Sequence, residues 1–409
     1  TMILKGKYNL ATVHTDNIDN ATISQIIELC NQESMKDSKI EIMPDCHAGK
    51  GCVVGTTMTI SDKVVPNLVG VDIGCGLASI KIDDTLDLER LDTVIREHIP
   101  YGFNTHKESK EKLLREVFHI DLRRLKCKVD TDRAFKSQLS LGSGNHFIEV
   151  DENKYGENYL VVHTGSRNLG KTIAEYYQNK AIEYCTEKYR NKKLDLIKEL
   201  KEQGKESEIE EVLKVQGGLT KPSDDLCYLE GTLLDDYLFD MNIAQKYAAA
   251  NRVSILAEIL HRYYSKEEDL GFYCRKVKLS VLECIHNYID IENKILRKGA
   301  ISANKDEVVL IPINMRDGII LAKGKGNAEW NYSAPHGAGR VLSRSKAKNT
   351  ISLEEFKESM EGIFTTCVGQ STLDEAPQAY KPMEEIMECI QDTVEVIEVI
   401  RPIYNFKAN

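Results

Sequence analysis

The stretch Leu68-Val69-Gly70-Val71-Asp72-Ile73-Gly74-Cys75-Gly76-Leu77-Ala78 constrains this chain most. The apolar run Val64 to Val71 predicts the end of a buried strand. It breaks at a turn where Gly74 and Gly76 permit positive φ and close backbone approach. Asp72 and Cys75 lie on that turn. A carboxylate and a thiol on a rigid Gly-rich turn can converge on a metal ion, but one tight turn with a structural cysteine would read the same way. The rest of the chain has to decide.

The formal net charge is −10. That argues against a non-specific polyanion binder and leaves room for a local basic groove. No apolar run is long enough to span a membrane. The start, Thr1 to Gly6, lacks the charged and apolar regions of a signal peptide. The 11 cysteines are scattered and show no paired CxxC framework. Free thiols in a reducing, cytoplasmic setting are expected.

The strongest motifs punctuate strands. Helical spacing from Asn20 through Leu29 precedes a predicted loop, Ile42 to Gly51, which carries Asp45, His47 and Lys50. Short strands through Val53-Val54 and Met58–Ile60 lead to the Asp72 turn. The basic residues Arg123, Arg124, Lys126 and Lys128 read as a solvated face. A second Gly-rich stretch, Leu139 to Val150, leads into a predicted strand carrying Asn145, His146 and Glu149. Backbone N–H groups of such a loop can cradle phosphate. His163 ends another apolar strand, with Arg167 in the following loop, a common place for ligand contacts in α/β folds. Residues 171–215 predict a charged surface helical hairpin, and residues 232–265 a further helix. His286 sits between Cys284 and Asn287. A strand over Val308–Ile311 is followed by a loop at Pro312-Ile313-Asn314-Met315 and a strand at Ile319–Leu321. His336 to Arg340 adds an imidazole, two glycines and an arginine, and Arg344 and Lys346 extend a basic rim suited to phosphate. A β-like tail runs from Val394 to Ile403.

Asp72, Cys75, His146, His163, His286 and His336 all lie beside glycine or at strand ends. These donors outnumber the needs of one four-coordinate site. Two metals sharing Cys75 would use five of them and leave one imidazole free. Thiolate and imidazole suit Zn2+, and the mixed set also admits Mn2+ or Fe2+. Walker and GxGxxG signatures are absent.

Together these blocks resemble the RtcB family of RNA ligases. The matching stretches are PDCHAGKG (44–51), VGVDIGCG (69–76), GSGNHFIE (142–149), HTGSRNLG (163–170), HNY (286–288), HGAGR (336–340) and DEAPQAYK (374–381), in family order. The resemblance implies an α/β (α+β) fold of the family's own type, a single large domain over residues 1–409 with a central active-site cleft and the 171–215 helices as a surface insertion. It implies joining of an RNA 3′-phosphate, or 2′,3′-cyclic phosphate, to a 5′-hydroxyl, with GTP and two Mn2+ ions per chain. Its roles are RNA repair or tRNA splicing, and some members use a small activating partner, archease.

Carried over by position, Cys75 would bridge both metals. Asp72 and His146 would complete one, His163 and His286 the other. His336 would be the nucleophile that takes GMP. Asn145, His146, Phe147, Ile148, Glu149, His286, Asn287, Pro312, Ile313, Asn314, Met315, Gly337, Ala338, Gly339 and Lys407 would surround the nucleotide. Arg167 and Arg340 would contact phosphate. The chain departs from the family at Pro312–Met315, where most members have Pro-Gly-Ser-Met. It departs again at Ile319, where a nucleotide-contacting serine is usual, and at its end, Lys407-Ala408-Asn409 in place of Lys-Gly. The first loop resembles that of a divergent bacterial RNA-repair branch. Ile319→Ser is expected on this basis to tighten GTP binding. The competing reading is a dinuclear metal phosphoesterase acting on RNA ends with the same ligands. A non-catalytic RNA-binding scaffold is a third reading, disfavoured by the complete ligand set.

Overall fold

The computed structural model describes residues 1–215, 219–264 and 268–408. Two mixed layers of sheet and helix meet at one edge, and that edge carries the chemistry. The first sheet runs in the order Met2–Lys5, Leu10–Val13, Ile40–His47, Val54–Thr59, Ile295–Lys298, Asn287–Asp290. The second runs Leu282–Ile285, Gly76–Ile82, Asn158–Thr164, Phe147–Glu152, Val394–Lys407, Gly318–Gly324, Val308–Asn314, with the short strand Phe364–Thr365 parallel to Val394–Lys407. The edge strands Leu282–Ile285 and Asn287–Asp290 are consecutive in the chain, separated by His286 alone. That residue is therefore the joint between the two sheets.

Strand alternation sorts the second sheet's side chains. Ala78, Ile148, Val150, Leu160 and Val162 enter a core shared with the helices Leu88–His98, Gly231–Tyr264 and Leu270–Ser280. Leu77, Phe147 and Val161 enter a separate core on the other face with Ile311, Ile313 and Ile319. Helix Gly231–Tyr264 is buried along most of its length. The first sheet packs on helix Asn20–Cys30, which Asp19 caps by accepting from the Thr22 N–H at 2.7 Å. No helix among the described residues is long and apolar enough to cross a membrane.

Several sequence expectations shift. Val64–Val71 is not a strand end: only Lys63–Val64 pair as a strand, and Pro66–Leu68 form a 3-10 turn. Proline at its start lacks the N–H a ladder needs. Asp45, Cys46 and His47 belong to strand Ile40–His47 and not to a loop, with the pairing register slipping between Ile42 and His47. Val53–Val54 and Met58–Ile60 merge into the single strand Val54–Thr59. Asn145 and His146 precede the strand that begins at Phe147. Pro312 to Asn314 extend strand Val308–Asn314, with a bulge between Pro312 and Asn314. The tail strand reaches Lys407.

The 171–215 region is not a hairpin of equal arms. A 36-residue helix, Arg167–Glu202, is followed by the short helix Ile209–Val215. The long helix buries Leu169, Ile173, Tyr177, Ala181 and Cys185 in the first core. Beyond Tyr189 it is mostly exposed. Interleaved Lys and Glu hid the apolar stripe of its first half.

Candidate metal and nucleotide site

Five donors converge where the sheets meet. Cys75 stands just before strand Gly76–Ile82, His163 near the end of its antiparallel neighbour, His146 at the entry to the next strand and His286 at the joint. Asp72 and Cys75 lie on a turn with Gly74 at φ +71°. Two groups of ligand atoms result, Cys75–His163–His286 and Asp72–Cys75–His146, each within 4.8 Å. Cys75 belongs to both. Its Sγ is 3.4 Å from His163 Nε2 and 3.5 Å from His146 Nε2. His163 Nε2 lies 3.4 Å from His286 Nε2.

The surroundings orient these donors. His146 Nδ1 donates to the Leu141 carbonyl at 2.9 Å and His163 Nδ1 to the Asn145 carbonyl at 3.1 Å. For His163 that tautomer leaves the Nε2 lone pair facing the sulfur, the arrangement typical of metal-binding histidine, while His146 Nε2 lies between the sulfur and Asp72 Oδ2, 3.0 Å from the latter. Burial holds His163 and His286 well below the usual imidazole range, hence neutral. Burial raises the Asp72 carboxyl, but His146, Cys75 and Arg167 together outweigh this and hold it at about 2. Burial pushes the Cys75 thiol well up, and the neighbouring Asp72 charge adds to that. A cation inverts this, because a coordinated thiol loses its proton. Three imidazoles, a carboxylate and a thiol gathered in two groups of facing ligand atoms fit a metal centre.

Behind the donors, Arg252 is fully buried on helix Gly231–Tyr264. It donates to the carbonyls of Gly74 at 2.7 Å and Thr164 at 3.0 Å and pairs with Glu283 at 3.0 Å. One guanidinium thus ties three donor-bearing segments together.

His336 lies outside both groups but against them, its ring centroid 4.8 Å from that of His286. Its Nδ1 is 2.7 Å from Oδ2 of Asp45, which is completely buried. The Gly337 N–H donates to the same oxygen at 3.2 Å. Gly339, at φ +74°, lets the loop press on Asp45, because a Cβ there would overlap the Asp45 backbone. Asp45 therefore fixes the ring and leaves Nε2 free toward the cleft.

The cleft has a volume of about 370 Å³. Cys75, His163, His286 and His336 line it together with Asn145, Phe147, Glu149, Lys407, Pro312–Met315 and Gly337–Gly339. Asn287 also lines it, and its amide donates to the Asp72 carbonyl at 3.3 Å. Ile148 does not: its side chain points into the helix-facing core, one residue out of phase with Phe147 and Glu149. Arg340 lines the cleft, yet its three nitrogens are engaged by the Leu342 carbonyl, the Tyr380 hydroxyl and the Asp374 carbonyl. Arg167 is the first residue of its helix rather than part of a loop. It donates to Ser140 Oγ at 3.2 Å and the Gly102 carbonyl at 3.4 Å.

Sequence reasoning missed three partners. Asp45 was visible as an acid without a role. Glu375 receives Lys407 Nζ and the Tyr380 hydroxyl, each at 2.7 Å, and also pairs with Arg344. Burial pushes its carboxyl up, but Lys407 and Arg344 outweigh this and hold it at about 2, so Lys407 keeps a charged anchor. Lys298 also lines the cleft, donating to the Asn67 carbonyl at 3.0 Å, and burial lowers it to about 8. No periodicity marks such pairings.

Ile319 overturns an expectation. It is fully buried in the apolar cluster of the second sheet and does not line the cleft. A serine there would leave a cavity and a buried hydroxyl in apolar surroundings. Ile319→Ser is expected to cost roughly 2 to 4 kcal/mol of stability, read by denaturant unfolding, and not to tighten GTP binding.

The fold and cluster define an α/β protein with a thiol-centred metal-type donor set and a separate, carboxylate-oriented histidine. The chain belongs to the RtcB family: the family model described as tRNA-splicing ligase RtcB matches residues 28–138 and 124–408. The RNA-splicing ligase RtcB of Escherichia coli K12 is 29% identical over 391 residues, covering 89% of this chain and 88% of that protein. The tRNA-splicing ligase RtcB of Methanococcus maripaludis is 26% identical over 473 residues, covering 96% and 92%. RNA-splicing ligase RtcB2 of a second Escherichia coli strain is 24% identical over 426 residues, covering 97% and 95%.

Proposed function

We propose that this chain, as one functional unit, is an RNA ligase that joins RNA 3′-phosphate or 2′,3′-cyclic phosphate ends to 5′-hydroxyl ends at the expense of GTP. One observation carries the reading beyond family membership. His336 stands outside both donor groups, anchored through Nδ1 to buried Asp45, with Nε2 toward the cleft. An imidazole held by a carboxylate and not spent on metal is placed to act as a nucleophile.

In this reading Asp72, Cys75 and His146 would hold one Mn2+ ion, and Cys75, His163 and His286 a second. When bound, the ions neutralise developing charge on phosphate oxygens. His336 Nε2 attacks the α-phosphorus of GTP. An N–P bond forms, the P–O bond to the β-phosphate breaks, and pyrophosphate leaves. Asp45 keeps the Nδ1 proton in place and balances the charge on the ring. An oxygen of the RNA 3′-phosphate then attacks the same phosphorus, freeing His336 and leaving GMP on the RNA end. The 5′-hydroxyl attacks the RNA phosphorus, its proton is lost, and GMP departs. A cyclic phosphate is first opened by water. Glu149 and Lys407, which line the cleft, hold the nucleotide, with Phe147 beside Lys407.

Incubation with GTP labelled at the α-phosphate, followed by a denaturing gel, tests the reading. Acid-labile label on the protein and joining of 3′-phosphate to 5′-hydroxyl ends are expected. Phosphate release from RNA ends without protein label would make it a phosphoesterase. Efficient joining of 3′-hydroxyl to 5′-phosphate ends would place it in another ligase class.

Asp45→Asn tests the anchor. The amide still accepts from Nδ1–H but cannot balance an imidazolium. The rate of protein labelling is expected to fall roughly 10²- to 10⁴-fold, by analogy with the carboxylate of a catalytic triad, with metal content unchanged. An unchanged rate and pH profile would remove Asp45 from the mechanism.

A further inference from the structure

Phe103 exposes 93% of its surface, more than any other large apolar side chain among the described residues. A lone exposed phenyl on a free loop would mean little, but this loop is tied down. The Gly102 N–H donates to the Gly142 carbonyl at 2.8 Å, the Leu141 N–H to the Pro100 carbonyl at 2.8 Å, and the His106 ring bonds the Leu139 carbonyl at 2.8 Å. Next in the chain, Tyr101 packs edge-on against Phe406 with centroids 5.3 Å apart. The ring is thus carried by a fixed scaffold, and that scaffold is segment 139–142, which runs on to Asn145 and His146.

Arg167 links this loop to the cluster. Its guanidinium donates to the Gly102 carbonyl and lies over Gly142, where a Cβ would overlap it. It also lies close enough to Asp72 for each charge to act on the other. Phe103 is therefore one residue from a carbonyl held by Arg167, on the Asp72 side of the centre. Lys107 and Lys110 follow it on the same segment.

We propose that Phe103 is a stacking platform for the nucleobase nearest the reacting end of the RNA strand whose phosphate lies against Arg167. This rests on the ligase reading above. A cation for the phosphate and a flat aromatic face for the base are the two parts from which sequence-tolerant single-strand binding is built. The phenyl has no hydrogen-bonding group, so it takes any base, as a ligase for broken ends of varied sequence requires. The cations on this face are Arg167 and, along the segment, Lys107, Lys110 and Lys112, which outnumber the interleaved Glu108 and Glu111 by one even without Arg167.

Phe103→Trp provides a direct probe. The chain has one other tryptophan, Trp330, which is 3% exposed. Titration with a short single-stranded RNA bearing a 3′-phosphate is expected to quench and shift the emission. The same RNA abasic at its terminal nucleotide is expected to leave the emission near that of the free protein. In parallel, Phe103→Ala is expected to weaken binding of the intact RNA roughly 10- to 100-fold and to lose the wild-type preference over the abasic RNA. RNA that binds without changing the emission, or equal affinities for wild type and Phe103→Ala, would overturn the platform. Quenching by RNA in a protein that joins no ends would leave the platform and remove the ligase reading. Failure of the wild type to bind RNA would sink both.

Discussion

His336→Ala is expected to abolish labelling of the protein by GTP and to lower joining of RNA ends by at least about a thousandfold. The size follows from the proposed chemistry: if His336 is the covalent nucleophile, its removal takes away the first step, not a fraction of its rate. Other side chains serve the role poorly. Cys75 sits among the metal donors, and Lys407 Nζ is engaged by the Glu375 carboxylate at 2.7 Å. His336 contributes no atom to either donor group, so metal content should match the wild type. The buried Asp45 loses its partner, and a modest fall in stability is expected with it. RNA already carrying GMP on its 3′-phosphate should still be sealed, because that step needs no protein nucleophile. Acid-labile label on the variant would place the nucleophile elsewhere.

In the proposed two-metal site, Cys75→Ala is expected to remove both ions. The thiol is the only group common to the two donor sets. Its loss leaves two donors in each, and two facing imidazoles or one imidazole with a carboxylate hold a divalent ion weakly in competition with water. The measurement is metal per chain after desalting, by elemental analysis. Near-zero metal with a native circular dichroism spectrum is the expected result, together with loss of GTP labelling. One ion retained would mean that Cys75 serves a single site, and two would end its bridging role. Arg252 offers a contrast, since it holds the carbonyls of Gly74 and Thr164 without donating to metal.

The donors themselves were legible in the chain. Asp72, Cys75, His146, His163, His286 and His336 each stand beside glycine or at the end of an apolar run, and those are local features. Helical spacing from Asn20 through Leu29 likewise announced its helix, and residues 232–265 read as another, of which 265 lies outside the described residues. What only the tertiary structure decided depends on partners far apart in sequence. Asp45 meets His336 across 291 positions, and Glu375 meets Lys407 across 32. An isolated carboxylate carries no sign of which cation or ring it will face.

Strand register settled the rest. Phe147 and Glu149 turn to the cleft while Ile148 turns to the helices, because alternate residues leave a sheet on opposite faces. Ile319 lies in the core although its strand pairs with Pro312 at the cleft wall. The sequence by itself determined which groups could do the chemistry, since turn glycines and strand ends are written locally. The pairing of two sheets at His286 decided which groups meet, since that pairing exists only once the whole chain has closed on itself.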